Sequence, residues 1–160
     1  NDIPIIGQYN VNKEGSGDMY PKGANMIHII RQLINDDAKF RNILRGLNKT
    51  FYHKTVTTAE IEDYIAKQSG LNLSKIFDQY LRHKDIPTFE YKISDNKLAY
   101  QWKADVKDFN MPLKVTLKGD GSYTLIQPTT VWKEISLDST VDKDSFKTDP
   151  NFYVNIKQVN

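Results

Sequence analysis

The sequence has no cysteine, which excludes disulfides and cysteine-ligated metal sites. It has no apolar run near the roughly 20 residues that a membrane-spanning helix needs, so we predict no membrane span. Its formal net charge of only +2 gives no broad basic or acidic field, so nucleic acid and anionic lipid are not expected partners. What remains is an ordinary globular composition, with 39% hydrophobic and 26% charged residues among 160.

The usual sequence motifs of metal, nucleophile and phosphate sites are also missing. No two of the three histidines, His28, His53 and His83, have the i, i+4 spacing of a zinc-binding HExxH, and His28 is expected to satisfy a hydrogen bond in the core. Ser16 lies between two glycines but follows no apolar strand, which predicts a flexible turn rather than a GxSxG nucleophile. The glycines before Tyr20 fit neither GxGxxG nor GxxxxGK[ST].

The first residues, NDIPII, contain neither an initiator methionine nor a signal-like apolar segment. We therefore expect either that the start was removed by processing or that this chain is part of a longer polypeptide. The lack of cysteine is compatible with export to an extracytoplasmic or periplasmic compartment.

The first half of the chain has helical periodicity. Apolar positions from Pro21 to Asn35 cover more than one helical face and predict a helix that is buried nearly all round. Three further amphipathic segments follow with their own start and stop signals. These are a helix capped by Asn35 or Asp36, a helix with a Thr57–Glu60 capping box that stops at Gly70, and a helix from Asn72 to Leu81. Short connections predict an antiparallel four-helix bundle.

At Pro87 the apolar period changes from helical to alternating. Six short alternating segments predict strands, at about 89–93, 98–102, 113–117, 122–127, 130–136 and 152–156. We therefore predict an α+β protein with a helical domain over residues 1–86 and an antiparallel β-sandwich over residues 87–160. Tyr91, Tyr100 and Trp102 share the inward phase of their strands and are expected in the core, which argues against a free-standing carbohydrate-binding sandwich.

Tyr20 precedes Pro21 at the start of the first helix. Because a residue before proline is displaced from helical angles, Tyr20 is expected to be an extended N-cap held rigid beside the helix start. Gly23 and Ala24 leave space for another backbone to approach. A tyrosine is a proton donor at neutral pH and could stabilise a developing oxyanion. The alternative is a tyrosine packed against the helices with its hydroxyl bonded to a carbonyl.

Two stretches resemble the gluzincin zinc aminopeptidases, the family of aminopeptidase N and leukotriene hydrolase. They are DMYPKGANMIHIIRQLINDDAKF, which is similar to the segment that follows the zinc site, and YHKTVTTAEIEDYIAKQSGLNLSKIFDQYLRHKDIPTFEYKI, which is similar to the following helices and first β-strand. The resemblance covers about residues 15–103. It implies that Tyr20 donates a hydrogen bond to the oxyanion of the tetrahedral intermediate during hydrolysis of N-terminal residues from peptides.

The same resemblance implies that the chain is only the C-terminal portion of such an enzyme. In that family the HExxH motif, the downstream zinc-binding Glu and the acids that hold the substrate amine all precede the motif tyrosine, and none occurs in residues 1–19. Zinc is therefore expected as the cofactor of the full-length enzyme and not of this chain alone. The chain's partner is expected to be the upstream part of the same polypeptide, and the chain alone is expected to be inactive.

Two other functions remain open at this point. A catalytically inactive family member could use the helices and strands as a scaffold or binding module. Epoxide hydrolysis, as in the leukotriene branch, is less favoured because that branch carries a second tyrosine five residues before the motif one, where this chain has Gly15.

Overall fold

The computed structural model describes residues 3–7 and 15–159. Within this part of the chain the protein is α+β, as predicted, with four helices followed by six strands. The helices are α1 (Pro21–Ile34), α2 (Asp37–Thr50), α3 (Thr58–Ser69) and α4 (Ser74–Phe77), with a 3-10 turn (Gly17–Met19) before α1 and a π-helical segment (Asp78–Arg82) after α4. The strands are β1 (Thr88–Ser94), β2 (Lys97–Lys103), β3 (Leu113–Thr116), β4 (Tyr123–Ile126), β5 (Lys133–Ser136) and β6 (Asn155–Gln158).

The predicted helix ends are mostly confirmed. The Asp36 side chain caps α2 by accepting from the Lys39 N–H at 2.9 Å. Thr57 and Glu60 form the reciprocal capping box of α3, which ends at Gly70 in the left-handed region, with φ of 75°. The last helix differs, because only four residues are α-helical before the chain widens into the π-helical segment. In the described residues, none of these helices combines the length and apolar character that crossing a membrane requires.

Helix α1 is buried along one face only, so the prediction of all-round burial is wrong. Met26, Ile29 and Ile30 are buried and follow the i, i+3, i+4 spacing of a single stripe. Ala24 is exposed, and Ile27 is only partly buried. The extra apolar residues widen the buried stripe without closing it around the helix.

The larger sheet has four strands in the order β5-β2-β1-β6. Strands β1 and β2 form a hairpin across the two-residue turn Asp95-Asn96, and both residues have positive φ, as a tight right-twisted hairpin requires. Strand β6 pairs with β1 in the parallel direction, so the predicted purely antiparallel arrangement is wrong. The physical reason is the return path: the Asn155 N–H bonds to the carbonyl of Pro87, which starts β6 beside the start of β1.

Strands β3 and β4 form a separate antiparallel pair. The observed pairing is therefore one sheet of four strands and one of two, and the β-sandwich and the four-helix bundle both stay predictions. The aromatic residues expected in the core are there: Tyr91, Tyr100 and Trp102 are at most 8% exposed.

The helical and strand parts share one hydrophobic core. Two buried polar side chains of the π-helical segment also connect them. Gln79 donates to the carbonyl of Asp85 and to the Asp105 carboxylate, and accepts from the backbone N–H groups of Asp105 and Val106. Tyr80 donates its hydroxyl to the Tyr153 carbonyl at 2.6 Å. The predicted domain division at residues 86 and 87 stays a prediction.

Candidate functional site

Tyr20 lies between the 3-10 turn and α1. Its N–H donates to the carbonyl of Gly17 at 3.4 Å, and its own carbonyl accepts from the Ala24 N–H at 3.0 Å. The residue is the N-cap of α1, as predicted, but its backbone is helical, with φ of −78° and ψ of −67°. The expectation of an extended Tyr20 is therefore wrong. The 3-10 turn runs directly into α1, and its hydrogen bond holds Tyr20 in helical angles although proline follows.

The Tyr20 side chain is 73% exposed and makes no capping hydrogen bond. It is therefore not the packed core tyrosine of the alternative interpretation. Its neighbour Met19 is also exposed, at 43%. Together they place an aromatic and an apolar side chain on open surface at the start of α1.

Lys22, two residues further on, is almost completely buried, with 2% exposure. Its ammonium group donates to the backbone carbonyls of His83 at 2.5 Å and Lys84 at 2.9 Å. These carbonyls follow the end of the π-helical segment, where cations are favoured. Burial lowers the pKa of Lys22, and the charges of Asp18, Asp85 and Asp105 partly oppose that shift.

Sequence reasoning did not single out Lys22, although a signal was present. Lys22, Met26 and Ile29 are spaced i, i+4, i+7 and lie on one face of α1. The lysine therefore continues the buried stripe.

Residues that precede Tyr20 in the chain make three further hydrogen bonds. Buried Ser16 accepts from the Asp18 N–H through its side chain at 3.2 Å, and from the Met19 N–H through its carbonyl at 3.1 Å. Ile6 donates its N–H to the Leu81 carbonyl at 2.8 Å, which holds the first described segment against the end of the π-helical segment. Tyr20 is thus an exposed side chain whose backbone bonds to the 3-10 turn before it and to α1 after it.

The three histidines do not converge on a common site. His28 is half-buried and lies within hydrogen-bond distance of the Asn151 amide oxygen at 3.0 Å, so it bonds to the turn that precedes β6 rather than in the core. His53 is exposed, with a positive φ of 53°, and His83 is half-buried. In residues 3–7 and 15–159, no group of three His, Cys, Asp or Glu side chains is placed to hold a metal ion.

No family model matches the sequence, and no curated protein matches it. Among solved structures, the fold is similar to part of the crystal structure of Legionella pneumophila aminopeptidase A in complex with aspartic acid, with a TM-score of 0.68 and 14% sequence identity. The match covers 91% of this chain but only 18% of that chain. The chain therefore shares its fold with a small part of an aminopeptidase, and at this identity the likeness concerns the fold alone.

Proposed function

We propose that this chain is the C-terminal part of a zinc-dependent aminopeptidase of the gluzincin type that hydrolyses N-terminal residues from peptides. The similarity of the fold to part of an aminopeptidase supports this proposal. The Tyr-Pro-Lys-Gly-Ala motif and the following helices add the resemblance to one particular family.

The observation that carries the proposal is the exposure of Tyr20. A large aromatic residue that is 73% exposed on a fixed backbone contributes little to the folding of this chain. Its phenol is free to meet a group presented from outside the chain. A donor held in place before the reaction stabilises negative charge that develops in a transition state, and such a donor is typically worth about 2.7–4 kcal/mol.

Zinc does not fit the described residues of this chain, because they provide no set of ligands. In the proposed enzyme the ligands and the general base come from sequence that precedes the chain. The metal would polarise the scissile carbonyl and activate water. The chain's own contribution is the Tyr20 hydroxyl, which donates to the oxyanion, and the helix start that holds it.

The test replaces Tyr20 by phenylalanine in the polypeptide that joins this chain to the zinc-binding part. We expect kcat to fall about a hundredfold or more while the KM, the zinc content and the circular dichroism spectrum stay unchanged. Tyr52→Phe is the matched control, because Tyr52 is also highly exposed, at 72%, but follows α2. A near-normal kcat for Tyr20→Phe would remove Tyr20 from the mechanism.

The chain alone should release no product from an aminoacyl chromogenic substrate, with or without added zinc. Zinc-dependent turnover by the purified 160-residue chain would contradict the proposal that the zinc ligands and the general base lie in the preceding sequence. Substituted zinc ligands in the preceding sequence would instead support the inactive scaffold.

A further inference from the structure

Lys22 has an environment that the proposed function does not yet explain. A buried ammonium group is costly unless its donors are paired, and burial of a lysine to 2% exposure is rare. Here both known partners are backbone carbonyls of one short segment, His83 and Lys84. These two partners follow Lys22 by 61 and 62 residues in the sequence, so the contact joins distant parts of the chain.

The position of Lys22 in the helix makes this contact relevant to Tyr20. Lys22 lies in the first turn of α1, and that turn is closed by the hydrogen bond from the Ala24 N–H to the Tyr20 carbonyl at 3.0 Å. Fixing Lys22 therefore fixes the turn whose first member is Tyr20. The phenol itself forms no capping bond that could orient it.

The contact does not serve the stability of α1 through its dipole. A cation at the N-terminal end of a helix is unfavourable for that helix, whereas cations stabilise C-terminal ends. Lys22 is in the first turn of α1 but points its ammonium group to carbonyls beyond the end of the π-helical segment. The arrangement is that of a clamp between two helix ends.

We infer that Lys22 is a positioning residue, which clamps the first turn of α1 to the carbonyls of His83 and Lys84 and thereby holds Tyr20 in place. The catalytic consequence of this clamp rests on the proposed function. The clamp itself is a property of the chain and is testable without any metal or substrate.

The first test measures amide hydrogen exchange by NMR in the 160-residue chain. Lys22→Met keeps the length and the apolar stem but removes the donor, so the Ala24 amide should exchange at least about tenfold faster than in the wild type. Lys39→Met is the matched control, because Lys39 donates to the Ser69 carbonyl at the end of α3 at 2.7 Å. It should leave the Ala24 amide unchanged. Equal exchange at Ala24 in wild type and Lys22→Met would overturn the clamp.

The second test is a double-mutant cycle on kcat in the longer polypeptide. Because misplacement of about 1 Å can cost up to a hundredfold, Lys22→Met should lower kcat about tenfold with little change in KM. In the Tyr20→Phe background the same substitution should change kcat less than about twofold, since the positioned group is gone. An equal loss in both backgrounds would show that Lys22 acts on stability in general and would overturn the inference.

The two proposals fail in different ways. If Tyr20→Phe retains normal kcat, the catalytic role of Tyr20 fails and with it the catalytic consequence of the clamp, while the exchange test still decides on the clamp itself. If Tyr20→Phe is impaired and the cycle is additive, only the positioning role fails. Should Lys22→Met not fold, Lys22→Gln is used in the same cycle, because its shorter side chain loses at least one of the two carbonyl bonds.

Discussion

Two regions of this protein differ in how far their polar side chains are buried and hydrogen-bonded. The junction consists of Gln79, Tyr80 and the groups to which they bond. In it the amide of Gln79 uses both its donors and its acceptor, and both residues are 0% exposed. At the helix start, Tyr20–Lys22, one residue is anchored in the interior and another is 73% exposed. The polar groups of the junction find their hydrogen-bond partners within the chain. The helix start instead exposes the Tyr20 side chain to solvent.

This difference separates residues that hold the fold from residues that are available for function. A saturated buried group is expensive to remove because its former partners are left unpaired. Replacing an exposed side chain on a fixed backbone changes stability little, but it can abolish a contact with a molecule outside the chain. Substitutions in the junction should therefore act on stability, and substitution of the exposed Tyr20 should act on activity.

The largest loss of stability is expected for Gln79→Leu. The change leaves the N–H groups of Asp105 and Val106 and the carbonyl of Asp85 without their partner. At about 1–3 kcal/mol for each unpaired buried group, the free energy of unfolding should fall by about 3 kcal/mol or more. Urea unfolding followed by circular dichroism measures the loss.

Gln79→Glu keeps the acceptor oxygen of the side chain but removes its N–H donors. The carboxylate can still accept from the two N–H groups but cannot donate to Asp85, and it faces the carboxylate of Asp105. The free energy of unfolding should therefore also fall strongly in Gln79→Glu. Gln68→Leu is the control at an exposed site on α3 and should change stability by no more than about 0.5 kcal/mol. Equal effects at the two sites would mean that the junction is not a stability determinant.

Tyr80→Phe is the next largest effect. It leaves the Tyr153 carbonyl without its 2.6 Å donor, which should cost about 1–3 kcal/mol at neutral pH. Burial also raises the pKa of Tyr80 well above its usual value of 10.0. Above pH 10 the unfolded tyrosine loses its proton while the folded one keeps it, so wild-type stability falls as pH rises.

This loss approaches about 1.4 kcal/mol per pH unit for one tyrosine. The Tyr80→Phe chain lacks that group, so the stability gap between wild type and variant should narrow between pH 10 and 11. A shallower slope remains, because burial also raises the pKa values of Tyr91 and Tyr100. Urea titrations at pH 8, 10 and 11 measure the gap, and a constant gap would contradict the assignment.

Pro21→Ala should have a smaller effect, both on the free energy of unfolding and on kcat. Proline limits the unfolded chain, so its loss should cost about 0.4–1 kcal/mol of stability. The looser helix start should lower kcat of the longer polypeptide, though by less than Tyr20→Phe does. Steady-state kinetics beside thermal unfolding separates the two effects. Full activity would mean that the proline only starts the helix.

Local signals predicted the parts of this fold that depend on neighbouring residues. The capping box of Thr57 and Glu60, the stop at Gly70 and the hairpin turn at Asp95-Asn96 are all present, because each satisfies its own backbone groups. All six strands lie near their predicted positions. The parallel direction of β6 was missed, since alternation shows which residues face inward but not which strand is the neighbour.

The local structure around Tyr20, whose catalytic role stays a proposal, was predicted in part. Tyr20 was identified from its motif, and its position as N-cap follows from the proline. Its helical backbone was missed, because the hydrogen bond to the Gly17 carbonyl depends on a 3-10 turn that the sequence did not indicate. The burial of Lys22 was missed although its spacing places it on the buried face of α1. Its partners were not predictable, because they are backbone carbonyls 61 and 62 residues away, which side-chain patterns do not reveal.

The smallest effect on stability is expected at the residue with the largest proposed effect on activity. Tyr20→Phe in the 160-residue chain removes a hydroxyl from a side chain that is already 73% exposed, so stability should change by no more than about 0.5 kcal/mol. Tyr80→Phe removes the same atom from a fully buried tyrosine and provides the matched comparison. A loss above about 1 kcal/mol at Tyr20 would place its hydroxyl among the groups that hold the fold. The contrast between junction and helix start would then disappear, because both would serve stability.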